Sequence, residues 1–186
     1  GVYNKVGLYD AMVSRDGRRI REALRGASFR RWQRGGAAFV NFIGNHDGEE
    51  GNPIDKFGGQ IKSVILTAMM LRPILFYNGL EQCVGQTANL IGDLSKSKDI
   101  KKAIPFDIAV LLNWKNADAK LQGFLQSVLD KGEEHRELLD LGAMDVLDPK
   151  QETPVVAWTV ASNKGKGGKV LLVAANYSDQ RAGGIF

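Results

Sequence analysis

The stretch FVNFIGNHD, residues Phe39 to Asp47, decides how this chain is interpreted. It begins inside the almost continuously apolar run AAFVNFI (37–43), a pattern typical of a strand buried on both faces of a parallel sheet. It then ends on Asn45, His46 and Asp47. A histidine and a carboxylate are costly to leave beside a core without partners. A strand that ends on them therefore indicates a binding or catalytic role.

The residues that follow predict a second parallel strand. GNHDGEEGNPIDKFGG (44–59) is predicted to be a loop, and QIKSVILTAMML (60–71) a buried helix that Arg72-Pro73 ends. PILFYNG (73–79) is a second short apolar strand. Strand, helix and strand in this order form a βαβ unit, which requires parallel pairing and a right-handed crossover.

Polar residues follow both of these strands. Asn45, His46 and Asp47 come after the first strand, and Tyr77, Asn78 and Glu81 come after the second. Because parallel strands end at the same edge of a sheet, both clusters are expected at one edge. In α/β barrels, that edge is where binding and catalysis occur.

The remaining sequence predicts two further helical regions and then strands. Residues 8–27 and 118–138 carry apolar residues at helical spacing, with an interruption at Asp16-Gly17. Residues 86–116 are interpreted as a loop or excursion. After about Ala143 the period changes, and four segments read as strands of an antiparallel unit, namely 143–148, 153–162, 169–178 and 183–186.

With these features in order, the chain resembles the α-amylase family, glycoside hydrolase family 13. The family's seventh-strand motif, F-V-x-N-H-D, is matched by Phe42, Ile43, Asn45, His46 and Asp47. Its eighth-strand segment is matched by Pro73, Ile74, Phe76, Tyr77, Gly79 and Glu81. YNKVGLYDAM (3–12) is similar to the sixth strand and the start of its helix, and KVLLVAANYSD (169–179) to a phrase of the following β-sandwich. Two departures are Gly44, where the family often has Asp, and GEEGNP, where many members carry an arginine.

The resemblance implies an α/β fold in two parts. Residues 1–141 would be the C-terminal portion of a (β/α)8 TIM-type barrel, and residues 142–186 a small antiparallel β-sandwich domain, truncated at its end. Both ends of the chain look cut, so a fragment of a longer polypeptide is expected. The missing N-terminal part of the barrel would be its natural partner, and exposed strand edges predict self-association as well.

The resemblance also implies roles for the polar strand end. Asp47 would stabilise the transition state of α-glucosidic cleavage, while His46 and Asn45 would bind the sugar of a maltooligosaccharide or starch-like α-glucan. A retaining glycosidase also needs a nucleophile and an acid/base, and nothing in this sequence matches the family's motifs for them. The chain alone is therefore expected to be inactive, and hydrolysis and transfer both stay open. An aspartate after a strand is otherwise often a helix cap or a turn residue, and Glu81 is interpreted as structural.

The composition does not identify the function, but it excludes some classes of protein. The 186 residues are 44% hydrophobic and 25% charged, with a net charge of +4 and a single cysteine, Cys83. This is ordinary for a globular protein, and no membrane span or internal disulfide is predicted. No metal site or cofactor is predicted either, although family members often bind calcium elsewhere. The sequence leaves the compartment open, and the family suggests a secreted or periplasmic protein.

Two other functions remain as alternatives. A non-catalytic glycan-binding module could stack sugars on Trp114 or Trp158, although a core tryptophan is the commoner outcome. Nucleic-acid binding could use the arginine-rich stretch 15–34, although most such runs are solvated helix faces. His135 lies in a charged run and is interpreted as part of a solvated face.

Overall fold

A computed structural model describes residues 7–32, 41–44, 53–75, 117–162 and 168–186 of the chain. Within these ranges the helices are α1 (Leu8–Val13), α2 (Gly17–Trp32), α3 (Pro53–Phe57), α4 (Ile61–Met69), α5 (Ala119–Glu134) and α6 (Arg136–Leu141). The strands are β1 (Ala143–Val146), β2 (Val155–Ala161) and β3 (Val170–Asn176). The predicted sixth-strand segment at 3–6 and the predicted excursion at 86–116 lie outside the described residues.

The first helical region is divided in two, as Asp16-Gly17 predicts. After α1, Arg15 takes a left-handed backbone conformation with φ of 56°. Asp16 Oδ1 then accepts hydrogen bonds from the backbone N–H groups of Arg18 and Arg19, at 2.9 and 3.3 Å. A carboxylate in this position caps the first turn of a helix. The predicted interruption is therefore confirmed, and Asp16 is its physical cause.

A short helix lies where the sequence predicts only a loop. α3 is followed directly by a 3-10 turn over Gly58–Gln60, which leads into α4. Pro53 suits the first position of α3, because its fixed φ matches the helix and its missing N–H is not needed there. The prediction of a loop over 44–59 is therefore wrong from Pro53 onward.

The predicted helices at 60–71 and 118–138 are confirmed, the second as α5 and α6 with His135 between them. Asp118 Oδ1 caps α5 by accepting from the N–H groups of Lys120 and Leu121, at 2.9 and 3.0 Å. α4 and α5 pack against one another. Their buried residues recur at helical spacing and include Val64, Ile65, Ala68, Leu121, Leu125 and Val128.

The three strands form one antiparallel sheet in the order β1-β2-β3. Trp158 lies opposite Val146 of β1 and Val173 of β3, and all three side chains are buried. Residues directly opposite one another point to the same face of a sheet, so these three belong to its inner face. On the other face, Val170 and Leu172 of β3 are exposed.

The predicted strand at 183–186 is wrong. The end of the chain runs beside residues 150–153 instead of joining the sheet. Lys150 donates its backbone N–H to the Ile185 carbonyl at 2.7 Å, and Thr153 Oγ1 donates to the Gly183 carbonyl at 3.0 Å. Gly183 and Gly184 have no side chains to pack on a pleated surface, which weakens a strand.

The helices and the sheet share one hydrophobic core. α2 packs against β1 and β2, α4 against β3, and α6 against β2. Polar contacts reinforce the joint between α4 and β3, since Ser63 Oγ donates to the Asn176 carbonyl at 2.6 Å and Tyr177 Oη donates to Thr67 Oγ1 at 2.7 Å. The division at 141/142, the barrel and the sandwich stay predictions, because the described residues neither close a barrel nor complete a sandwich.

Tyr177 is expected to make the folded chain less stable at alkaline pH. Burial raises the pKa of the Tyr177 hydroxyl above its ordinary value, and the hydrogen bond to Thr67 opposes the shift only in part. Above the ordinary tyrosine pKa of about 10, the unfolded chain loses this proton while the folded chain keeps it. Stability is therefore fully present below about pH 10 and falls as pH rises beyond it, by up to about 1.4 kcal/mol per pH unit.

Tyr177→Phe tests this dependence. At pH 8 the variant is expected to be less stable by about 1 kcal/mol, because the hydrogen bond to Thr67 is lost. Between pH 10 and 11.5 the wild type should lose this advantage and then fall below the variant, because a linkage loss of about 2 kcal/mol over this range exceeds the hydrogen-bond gain of about 1 kcal/mol. Urea unfolding at each pH measures both, and a constant difference across this range would contradict the assignment.

Candidate functional site

Two chain segments pair in parallel next to the predicted site. Asn41 and Ile74 form a parallel bridge. The Asn41 N–H donates to the Pro73 carbonyl at 2.9 Å, and the Leu75 N–H donates to the Asn41 carbonyl at 2.8 Å. The parallel pairing predicted between 37–43 and 73–79 is therefore confirmed at these residues, with α4 in the connection between them.

The Asn41 side chain fastens this pair. Its Nδ2 donates to the Leu71 carbonyl at 2.7 Å and lies 3.4 Å from the Pro73 carbonyl. It therefore ties the end of the α4 region to the neighbouring segment. Sequence reasoning missed this role, although a single polar residue within the apolar run 37–43 was the available signal.

Asn41→Leu is expected to lower the free energy of unfolding by about 1–2 kcal/mol, because the Leu71 carbonyl loses its donor. Asn41→Asp should cost more, since a carboxylate would face the same carbonyl oxygens. Guanidinium unfolding followed by circular dichroism measures both variants. A leucine variant as stable as the wild type, or an aspartate variant more stable than the leucine variant, would contradict the role given to Asn41.

Arg72 links the same region to α5. Its Nη2 lies 3.3 Å from Glu133 Oε2. The hydrogen bond from Arg72 is the main cause that lowers the pKa of Glu133, and the charge of Arg136 adds to it. Arg72 directly precedes Pro73, the first residue of the segment that pairs with Asn41.

The Tyr9 ring packs against Phe42 and Phe57, which come before and after residues 45–52 in the sequence. The Tyr9 ring lies with its centroid 5.0 Å from that of Phe42, at an interplanar angle of 31°. Phe57 meets the Tyr9 ring edge-on at 6.3 Å. Lys56 Nζ donates to the Tyr9 hydroxyl at 3.1 Å and lies 5.0 Å from the ring centroid. Ile43, the residue after Phe42, is fully buried.

The three predicted site residues, Asn45, His46 and Asp47, lie outside the described residues. The structure describes the nearest residues on either side of them along the chain, Gly44 before and Pro53 after. Of the other polar or aromatic candidates, Tyr77, Asn78, Glu81 and Trp114 also lie outside the described ranges. Their assigned roles stay predictions.

Two candidates do fall within the described residues. Trp158 has no exposed surface, and its Nε1 has no hydrogen-bond partner in the part of the chain that the structure describes. The core interpretation of Trp158 is therefore confirmed, and its ring is not available to stack on a sugar. His135 lies at the junction of α5 and α6 with its side chain 25% exposed, so the solvated-face interpretation holds only in part.

Three arginines of α2, namely Arg18, Arg21 and Arg25, pair with carboxylates. Arg21, which is buried, lies 2.9 Å from Glu152 and donates to the Thr153 carbonyl at 3.3 Å. Arg25 pairs with Asp148, and Arg18 with Glu22 at 3.4 Å. The pairs of Arg21 and Arg25 join the helix to the segment between β1 and β2, and all three pairs reduce the positive charge that the described part of the helix presents. They favour the helix-face interpretation over nucleic-acid binding.

In residues 7–32, 41–44, 53–75, 117–162 and 168–186, no three His, Cys, Asp or Glu side chains group as metal ligands would. No helix in these ranges has the length and apolar character needed to cross a membrane. The described residues hold no ligand set for the calcium that the family resemblance suggests.

No family model, curated protein or solved structure matches the chain. The resemblance to the α-amylase family rests on the four stretches named above and on their order along the sequence. The parallel bridge at Asn41 and Ile74 is the described geometry that bears on the site most closely.

Proposed function

We propose that this chain is part of an α-amylase-like glycoside hydrolase that cleaves α-glucosidic bonds in starch-like glucans with retention of configuration. In this proposal Asp47 stabilises the transition state, and His46 and Asn45 bind the sugar at the cleaved bond. The nucleophile and the acid/base come from the N-terminal part of the barrel, because no motif in these 186 residues matches them. The chain by itself is then inactive.

The parallel bridge between Asn41 and Ile74 is the observation that carries the proposal. A parallel pair joined through a helix is the repeating unit of (β/α)8 barrels, whose active sites form where the strands end. The chain leaves this pair in the order Gly44-Asn45-His46-Asp47 on one side and Leu75-Phe76-Tyr77 on the other. The position of the Asn45-His46-Asp47 motif in the sequence and the parallel direction of the pairing therefore both support a site at the edge where the two segments end.

The chemistry explains the residue types. Cleavage of a glycosidic bond passes through an oxocarbenium-like state that carries positive charge. A fixed carboxylate close to that charge, in a site with little water, lowers the barrier. Histidine can donate to a sugar hydroxyl whose hydrogen bond strengthens in the same state. A site held next to a paired segment keeps these groups in place better than a free loop would.

Proton NMR of the products tests the proposal. The native polypeptide that carries this sequence is incubated with maltoheptaose, and the anomeric signals of the new reducing ends are followed from the first minutes. Retention predicts that the α-anomer appears first and then mutarotates. A matched β-linked cellooligosaccharide should stay intact. A first product in the β-configuration, or no cleavage of any α-glucan, would contradict the proposal.

The glycan-binding module is weaker as an alternative. It relied on Trp114 or Trp158, and Trp158 is enclosed in the core. The exposed face of β3 offers Val170 and Leu172, which lack the aromatic rings on which sugars commonly stack. Trp114 is then the residue on which this alternative depends.

A further inference from the structure

β3 is an edge strand of the sheet among the described residues, where it pairs with β2 alone. Two hydrogen bonds fix which of its residues face β2. The Ser162 N–H donates to the Lys169 carbonyl at 2.9 Å, and the Tyr177 N–H donates to the Pro154 carbonyl at 3.0 Å. Since hydrogen-bonded pairs alternate along an antiparallel ladder, residues 170, 172, 174 and 176 turn their N–H and C=O groups away from β2.

Three of these residues, Val170, Leu172 and Ala174, also have exposed side chains on the outer face of the sheet. Within the described ranges, their N–H and C=O groups have no hydrogen-bond partner. The fourth residue, Asn176, has its carbonyl bonded to Ser63 Oγ at 2.6 Å. The open edge is therefore the stretch 170–174, where unpaired backbone groups and apolar side chains occur together.

The open edge lacks the features that usually block the addition of another strand. Natural edge strands commonly carry a charged side chain, a proline or a bulge. Residues 170–175, VLLVAA, contain no charge and no proline, and their pairing with β2 continues without a bulge. An extended, uncharged edge of this kind accepts a further strand through main-chain hydrogen bonds.

We propose that the open edge of β3 binds the same edge of a second copy of this chain, in an antiparallel pairing centred on Leu172. In that register Leu172 lies opposite its own counterpart, and Val170 lies opposite Ala174 of the second copy. Each of these pairs exchanges two backbone hydrogen bonds, and the larger side chain of Val170 meets the smaller one of Ala174. The two sheets then form one continuous sheet about a two-fold axis, the commonest symmetry of protein dimers. This interface does not depend on the proposed function.

The charges near the two ends of β3 favour a second copy in this orientation. Lys169 directly precedes the strand, Asp179 follows its end, and both residues are exposed. Antiparallel pairing brings the start of each strand beside the end of the other, so each lysine lies toward the aspartate of the opposite copy. In this register the two lysines are about 20 Å apart along the ladder, at about 3.4 Å per residue. A parallel pairing would place them together.

Sedimentation velocity of the native polypeptide that carries this sequence, over a range of protein concentrations, tests the proposal. A reversible monomer–dimer equilibrium is expected, because an interface limited to one strand is small and transient. Leu172→Lys should weaken the dimer at least about tenfold, since it places two like charges directly opposite one another. Ala143→Lys is the matched control, because it adds the same charge on the same face of the sheet but at the far edge, on β1. It should leave the dimer unchanged.

Hydrogen exchange shows whether the strand edge itself forms the contact. The amides of Val170, Leu172 and Ala174 should exchange quickly in the monomer and become protected at concentrations where the dimer forms. The Val173 amide faces β2 and should change little. A dimer in which the three edge amides stay unprotected would overturn the proposal, because the copies would then pack through their faces. A dimer that Ala143→Lys weakens as much as Leu172→Lys would overturn it for the same reason.

Two further results would contradict the proposed interface. One is a native polypeptide that stays monomeric at every concentration. The other is protection of the three edge amides in the monomer, because residues of the same polypeptide would then cover the edge. If Leu172→Lys does not fold, Ala174→Lys and the exchange of the wild type provide the same test, and an unweakened dimer of Ala174→Lys counts against the pairing.

Discussion

Asp47→Asn is expected to lower kcat for maltoheptaose about 1,000-fold in the native polypeptide that carries this sequence. Asparagine keeps the shape of the side chain but removes the negative charge that the proposal places beside the developing oxocarbenium ion. Loss of one preorganised electrostatic contact commonly costs 100- to 1,000-fold in kcat. Because the charge acts mainly in the transition state, KM should change far less than kcat. Steady-state kinetics at the pH of maximal activity measures both constants.

Asp145→Asn is the matched control for that change. Asp145 lies in β1 and is exposed, so the same loss of one carboxylate charge should leave kcat and stability close to the wild type. If Asp145→Asn lost as much activity as Asp47→Asn, the cause would be the change in net charge and not the position of Asp47. If Asp47→Asn kept more than about a tenth of the wild-type kcat, the role proposed for Asp47 would be contradicted. A tenfold fall in kcat corresponds to only about 1.4 kcal/mol of transition-state stabilisation.

Trp158→Ala is expected to lower the free energy of unfolding by about 3–5 kcal/mol, the range for truncating a large aromatic residue in a core. Trp158 has no exposed surface and lies between Val146 and Val173 on the inner face of the sheet. Its removal leaves a cavity where the sheet meets the helices. Chemical unfolding followed by circular dichroism measures the loss, and since typical domains are stable by only 5–15 kcal/mol, partial unfolding of the variant is an accepted result.

Trp158→Phe provides the folded comparison. Phenylalanine refills much of the space, so the loss of stability should be well below that of the alanine variant. Affinity for a maltooligosaccharide, measured by calorimetry, should equal that of the wild type. A fall in affinity with unchanged stability would contradict the core assignment and revive the glycan-binding module.

The helices and most strands were predictable because their signals are local. α4 and α5 repeat apolar residues at helical spacing, and Asp16 and Asp118 cap helices that the pattern alone already marks. Local patterns failed in two glycine-rich stretches of the chain, 44–59 and 183–186. They missed α3, where Pro53 was the available signal, and they wrongly added a strand at 183–186, where tertiary contacts hold the chain beside Thr153.

The supports of the candidate site were not predictable, because they join residues far apart in sequence. Tyr9 meets Lys56 and Phe57 across 47 and 48 positions, and Asn41 meets Leu71 across 30. No spacing rule links such pairs. The site residues themselves came from the family resemblance and from the position of Asn45, His46 and Asp47 after an apolar run. Their roles stay predictions, while the parallel pairing that leads to them is confirmed at Asn41 and Ile74.

The most direct measurement is a crystal structure of the native polypeptide with a non-hydrolysable maltooligosaccharide bound. We predict that the Asp47 carboxylate lies within hydrogen-bond distance, about 3 Å, of the 2-hydroxyl of the sugar at the cleaved bond, a contact that strengthens in the transition state of glycosidases. His46 should contact the same sugar, and Tyr9 should still hold Phe42 and Lys56. An oligosaccharide bound on the β-sheet, or one that leaves Asp47 out of hydrogen-bond reach, would contradict the account.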